Sequence, residues 1–135
     1  MASDYLEDKI RTHLMRSGTW AKDTARWVSL HTADPGDTGA SEVGAVGSYG
    51  RVQRDASDAN WSAGTATDGL TSNVATITFP APTAPGWGVA THCGVWDAPT
   101  GGNFIGGGAL TTPKTINGGD AAPSFGPGAL VVQVI

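Results

Sequence analysis

One stretch near the start of this chain has helical periodicity, and everything after it is rich in glycine, threonine and alanine and reads as β. In the first stretch Leu6, Ile10, His13 and Leu14 fall at i, i+4, i+7 and i+8, so they share one face of a helix. Asp4 followed three residues later by Glu7 spells a capping box, and Gly18 supplies the stop. A helix this short is marginal alone and must lie on something else, either its own β domain or a neighbouring chain. The expected organisation is therefore an N-terminal helix over residues 1–18, acting as a docking or interface element, and a single β-sandwich domain over 19–135.

Strand candidates follow in short pieces. Residues 26–32 alternate, with Trp27, Ser29 and His31 on one face and Val28 and Leu30 on the other, before Asp34-Pro35-Gly36-Asp37 turns the chain. Residues 36–50 read as a long Gly/Ala/Ser loop with almost nothing to bury. Further strands are expected at 49–54, 60–62 and 73–79, the last ended by Pro80, Pro82 and Pro85. The clearest runs over 88–97, with an antiparallel return over 103–110 after the Ala98-Pro99-Thr100-Gly101-Gly102 turn. Gly106-Gly107-Gly108 within that return signals a bulge or a close backbone approach. A short edge strand at 114–116 and a closing strand at 129–135 complete about eight, which fits an antiparallel sandwich or barrel of jelly-roll type.

Composition narrows the function classes. The chain has 135 residues, enough for one domain with its own core. Only 15% of its residues are charged, against roughly 25% in ordinary soluble domains, which suits a protein packed against other subunits. A net charge of −4 and the lack of any basic stripe exclude a phosphate-backbone binder, so no nucleic-acid partner is expected. The single cysteine, Cys93, excludes an intrachain disulfide or a zinc cluster of cysteines and reads as an inert buried thiol. No run approaches the ~20 apolar residues of a membrane span, and no signal-peptide order is present, so a soluble product of a reducing cytoplasm is expected.

Catalytic signals are absent. His13, His31 and His92 lie in three separate elements, with His13 read as a packed residue and His31 and His92 able to meet across neighbouring strands. No nucleophile elbow, His-Glu-x-x-His pair or phosphate loop occurs, and GGNFIGGG lacks the Lys-Ser/Thr ending of one. Asp34 with Asp37 and Asp55 with Asp58 are carboxylate pairs in turn-forming contexts, where Asp caps its own backbone. Neither has the ligand spacing of an EF-hand loop, so no metal, cofactor or catalytic residue is expected. The distinctive set is five tryptophans. Trp27 and Trp96 lie in strands and read as core, whereas Trp61 and Trp87 flank turns and are interface candidates.

Four stretches together resemble a known family: SDYLEDKIRTHLMRSGTWAK at 3–22, WVSLHTADPGDTG at 27–39, THCGVWDAPTGGNFIGGGALTTPKTINGGD at 91–120 and FGPGALVVQVI at 125–135. They are similar to small tailed-bacteriophage virion proteins commonly called tail fibre proteins, among which are head decoration (cement) proteins. The resemblance spans the chain from end to end and implies a virion structural part assembled in the host cytoplasm. It also leans toward the jelly roll, which recurs in viral coat and decoration proteins. The leading expectation is a capsid decoration protein that stabilises the assembled head by binding only that state. Its partners would be the major capsid protein and copies of itself, as a dimer or trimer. Contacts are expected from Tyr5, Leu6, Ile10, Leu14 and Trp20, with Trp61 and Trp87. The alternative is a tail fibre or tail-tip subunit, partnered by other tail proteins and a host glycan or receptor. The lack of a heptad or fibre-shaft repeat counts against a shaft-forming chain.

Overall fold

A computed structural model describes residues 2–65 and 67–134. It contains one helix, α1 (Asp4–Met15), and eight strands: β1 (Trp27–His31), β2 (Val52–Gln53), β3 (Leu70–Ser72), β4 (Ile77–Thr78), β5 (Gly88–Trp96), β6 (Phe104–Ile116), β7 (Ser124–Phe125) and β8 (Val131–Gln133). All pairings are antiparallel, in a six-stranded sheet of order β2-β1-β5-β6-β8-β3 and a two-stranded ladder of β4 with β7. The mainly β sandwich expected from the sequence is present, in a lopsided form of six strands against two.

The central pair β1–β5 is buried on both faces. Val28, Leu30, Cys93 and Val95 point into the main core with Ile77, Phe79, Phe125, Leu130 and Val132. Phe79 sits edge-on to Trp87 and Phe125 at ring-centroid distances of 6.4 and 5.9 Å, which closes this core with aromatic contacts. On the opposite face Ser29, His31, Trp96 and Phe104 are covered by residues 32–42, which double back over the sheet. Thr32 N donates to Ser41 O, and Val43 N donates to Leu30 O. The loop at 36–50 thus buries more than its composition suggests, since Val43 and Tyr49 both pack on the main core.

Several boundaries differ from expectation for identifiable reasons. The strand expected at 73–79 is reduced to β4, Ile77–Thr78, because it starts on the buried Asn73. Its amide donates to Ala75 O and Gly126 O, and its Oδ1 accepts from Leu130 N, diverting the chain from β8 to β7. The expected strand at 60–62 shrinks to one bridge, Trp61 with Asn73. The returns at 103–110 and 114–116 are one strand, β6, whose register with β5 shifts between Ala90 and His92. Gly106 and Gly108 mark a close approach: a Cβ there would lie 2.4 and 2.1 Å from the Gln133 and Val131 carbonyl oxygens. β3 and β7 have no counterpart among the expected strands.

The helix begins one residue earlier than its spelling implied, with Ser3 as the cap: its Oγ accepts from Leu6 N at 3.2 Å. Asp4 N donates to Asp37 O, which ties the first turn to the loop over the sheet. Burial then decays along the apolar stripe, from Leu6 at 7% exposed, through half-buried Ile10, to Leu14 at 70% and Met15 at 80%. The helix is anchored by its first turn and runs off the body. His13, expected to be packed, is exposed, its Nδ1 accepting from Trp20 N at 3.3 Å.

Gly94 tests the packing of the second face. A Cβ there would meet His31 Nε2 at 2.7 Å and both Phe104 Cε1 and Ser29 Oγ at 2.8 Å. Gly94→Ala should cost roughly 1–3 kcal/mol in urea unfolding. Gly44→Ala, with nothing within 4 Å of its Cβ, should stay within about 0.5 kcal/mol of wild type.

Candidate functional site

A groove of about 500 Å³ reaches the margin of the core beside Trp61. Trp61, Val95, Ile105, Val132 and Val134 give it an apolar floor, and Ser57, Asp58, Ser62 and Thr71 stand around it. The segment carrying Trp61 is held by its side chains: Trp61 Nε1 donates to Arg54 O at 3.0 Å, and Asn60 Nδ2 donates to Asp55 O at 2.9 Å. Two cations reach the rim. Arg26 is engaged, its Nη1 lying 2.7 Å from Asp23 Oδ1 and 2.6 Å from Ala25 O, and Lys22 comes from the segment that follows the helix. An apolar floor with a polar edge of this size accommodates a small ligand or a few side chains of another protein.

A second hollow, of about 350 Å³, lies beside Asp34, Asp37, His92 and Gln133. Asp34 spends one carboxylate oxygen on Gly36 N at 2.9 Å, the local capping its sequence context implied. His31 and His92 do stand opposite each other in the β1–β5 register. They are not joined: His92 Nδ1 is 2.8 Å from Thr91 Oγ1, while His31 is committed elsewhere. Among the described residues no three metal-ligating side chains come together.

The loop over the sheet is fastened by a polar knot. Arg51 Nε and Nη2 make a two-pronged contact with Glu42 at 2.9 and 2.8 Å, and Tyr49 O–H donates to the same carboxylate at 2.8 Å. Tyr49 Oη accepts from Leu30 N, and Arg51 Nη1 donates to Ala98 O and Gly101 O in the β5–β6 turn. The guanidinium carbon lies 4.0 Å from the Trp96 ring centroid, a cation–π contact. Burial opposes the Glu42 charge, but the Arg51 and Tyr49 hydrogen bonds outweigh it and hold its carboxyl below the ordinary range.

His31 is fully buried beside this knot. Nδ1 lies 2.7 Å from Ala40 O, which can only accept, so Nδ1 carries the proton and Nε2 accepts from Ser29 O–H at 2.8 Å. Ser29 Oγ in turn accepts from Trp96 Nε1 at 3.0 Å. Burial lowers the His31 pKa, with the Ala40 bond opposing in part. The Cys93 thiol is pushed up to about 12 by burial, in keeping with an unreactive thiol.

Of the residues singled out by sequence, Trp61 lies in the groove, and Tyr5 and Ile10 are half-buried at the foot of the helix. Leu14 is exposed and Trp20 is half-buried beyond the helix end. Leu6 and Trp87 belong to the protein's own interior: Trp87 is 4% exposed and its Nε1 donates to Gly47 O at 2.8 Å. The flanking Gly/Pro turn suggests an outward Trp87, but Gly47, Tyr49 and Phe79 enclose it, the Tyr49 ring at a centroid distance of 5.2 Å. The four groove aliphatics were not singled out, although the Leu-Val-Val-Gln-Val end of the chain carried a signal for two of them.

Fold and groove together define a small mainly β structural domain. The model of a protein family, the podophage GP4 fiber I protein gp80, matches residues 1–133. The chain belongs to that family, and so to the tail-fibre type of phage virion protein. No curated protein matches it.

Acid should loosen the loop. The native His31 pKa lies below the ordinary imidazole value of about 6.5, so the unfolded chain binds more protons as pH falls beneath that value. Stability in urea should therefore be full above about pH 6.5 and decline below it, with a further loss below about 4.5 as Glu42 is protonated. Glu42→Gln, which strips Arg51 of its partner charge, should cost roughly 3 kcal/mol at neutral pH and flatten the lower limb of that profile.

Proposed function

We propose that this protein is a structural subunit of the phage fibre or of its junction with the tail, and that it works by binding and not by catalysis. The observation that carries this reading is the family match over residues 1–133. The fold supports it from a second direction. A single helix of 12 residues spans only about 18 Å, and the rest is a compact sandwich, so this chain suits a node or adaptor and not a shaft. Its partners are then other tail proteins, with the groove at Trp61 as one docking surface and the free end of α1 as another. A host-surface glycan or receptor is a further ligand that the groove, with Trp61 in its floor and hydroxyls on its rim, could hold.

The capsid decoration reading expected from the sequence has less behind it. Nothing in the fold distinguishes a head surface from a tail surface, and the family description is of a fibre. It keeps one testable consequence. Antibody against this protein, labelled with gold and applied to intact virions, should mark the tail or its fibres in electron micrographs. Gold spread evenly over the head would overturn the fibre reading and restore decoration, with the major capsid protein as partner.

A further inference from the structure

We infer that Asn117 is a site of spontaneous covalent modification: it loses its side-chain amide by deamidation, and the turn that follows β6 is weakened as a result.

The chain has four asparagines, Asn60, Asn73, Asn103 and Asn117. Three of them are held by their side chains. Asn60 Nδ2 donates to Asp55 O at 2.9 Å, Asn73 Nδ2 to Gly126 O at 2.8 Å, and Asn103 Nδ2 to Asp97 Oδ2 at 2.9 Å. They are followed by Trp61, Val74 and Phe104, whose bulk crowds the peptide nitrogen next to the asparagine. Asn117 differs in every respect. It is exposed, it is followed by Gly118, and its bonds among the described residues run through its backbone. Asn117 N donates to Asp120 Oδ2 at 2.8 Å, and Asn117 O accepts from Asp120 N at 3.2 Å.

This turn presents both reacting groups. Gly119, its third residue, has a φ of 89°, as in a type II turn. Gly118 is exposed, and among the described residues its N–H has no acceptor. Joining Gly118 N to Asn117 Cγ closes a five-membered ring through rotation about two Asn117 bonds, and glycine puts no side chain in the way. The nitrogen gives up its proton as it bonds to Cγ. The Cγ–Nδ2 bond breaks, and ammonia leaves with that proton. Water then opens the succinimide at either carbonyl. One opening gives an ordinary aspartate, and the other gives an isoaspartate, with one more methylene in the backbone. In sum water is consumed, ammonia is released, and a neutral amide becomes a carboxylate.

Position gives the change a consequence. The turn clasps residues 82–87: Gly119 N donates to Pro82 O, Trp87 N donates to Ile116 O, and a Cβ on Gly118 would lie 2.6 Å from Ala84 Cα. Trp87 in turn packs against Tyr49 and Phe79 in the main core. A carboxylate at 117 sets a second negative charge in a turn that the Asp120 carboxylate closes, and the two repel. An isoaspartate lengthens the backbone between Ile116 and Gly118, both of which face this segment. The aged chain therefore holds residues 82–87 less firmly than the new one.

The full chain, native and in parallel unfolded in guanidinium chloride, is kept for several weeks in mildly alkaline buffer at body temperature and then mapped by peptide mass. The native protein should gain about 1 Da at Asn117, as aspartate and isoaspartate forms that separate by chromatography, while Asn60, Asn73 and Asn103 stay intact. Conversion should slow in mildly acidic buffer, because the attacking nitrogen must shed a proton. Asn117→Ser, a change at an exposed position whose folding circular dichroism checks, should show no such gain in the same peptide. Aged wild type should unfold at a lower urea concentration than fresh protein, and aged Asn117→Ser should not. An Asn117 that stays intact in the native chain would overturn the inference, and its conversion in the unfolded chain would then show that the turn keeps the two atoms apart. Native conversion spread equally over the other asparagines would overturn it too. Aged wild type with the urea midpoint of fresh protein would overturn the weakened clasp.

Discussion

The Glu42 carboxylate is the point through which the two faces of this sandwich communicate. It holds Arg51 with both oxygens and Tyr49 with one, and through them it reaches the backbone of β1 and the β5–β6 turn. An ion pair this well buried adds little net stability, because desolvation consumes most of the Coulomb gain. What it supplies is uniqueness. A Gly/Ala/Ser loop has few apolar side chains to define its path, so buried Val43, half-buried Tyr49 and one charged knot decide where it lies. With the loop in place, His31, Ser29 and Trp96 have a roof and every buried polar side-chain atom among the described residues has a partner.

Legibility in the sequence followed the strength of local signals. The helix, β1 and β5 carry clear periodicity, and their existence and type could be read directly from Leu6, Ile10, Val28, Leu30 and the 88–97 alternation. Short strands of two or three residues have no period to show, so β4 and β7 depend on Asn73 and Pro123, whose roles are set by partners distant in sequence: Asn73 bonds Gly126 O, and Phe79 N donates to Pro123 O. The binary pattern also misled at 36–50, where a composition that looked empty conceals Glu42, Val43 and Tyr49. The candidate groove was half legible. Trp61 stood out by its type, while Val95, Ile105, Val132 and Val134 read as ordinary core, because whether a core face is covered is a property of the other sheet.

The central strands of the sheet are rigid beneath the groove. Close packing under Gly94, Gly106 and Gly108 leaves no slack in the central strands, so the groove floor is set in position before any partner arrives. Such pre-organisation lowers the ordering cost of binding, and the cost that remains falls on the partner or on the helix end. The low charge of the surface works in the same direction. Few exposed ionic groups need desolvation when one face is covered.

The sheet edges show which routes of assembly are closed. β2, at one end, is two residues long. β3, at the other, is bridged by Trp61 and by Ser62 N donating to Ser72 O. The far half of β6 is exposed from Thr111 to Thr115 and carries Pro113 and Lys114. Shortness, covering, proline and lysine are the devices that stop strands adding edge to edge. A phage part present in several copies at high local concentration would otherwise polymerise through its sheets. With those edges blunted, strand addition is closed as a route, and any association falls to side-chain surfaces.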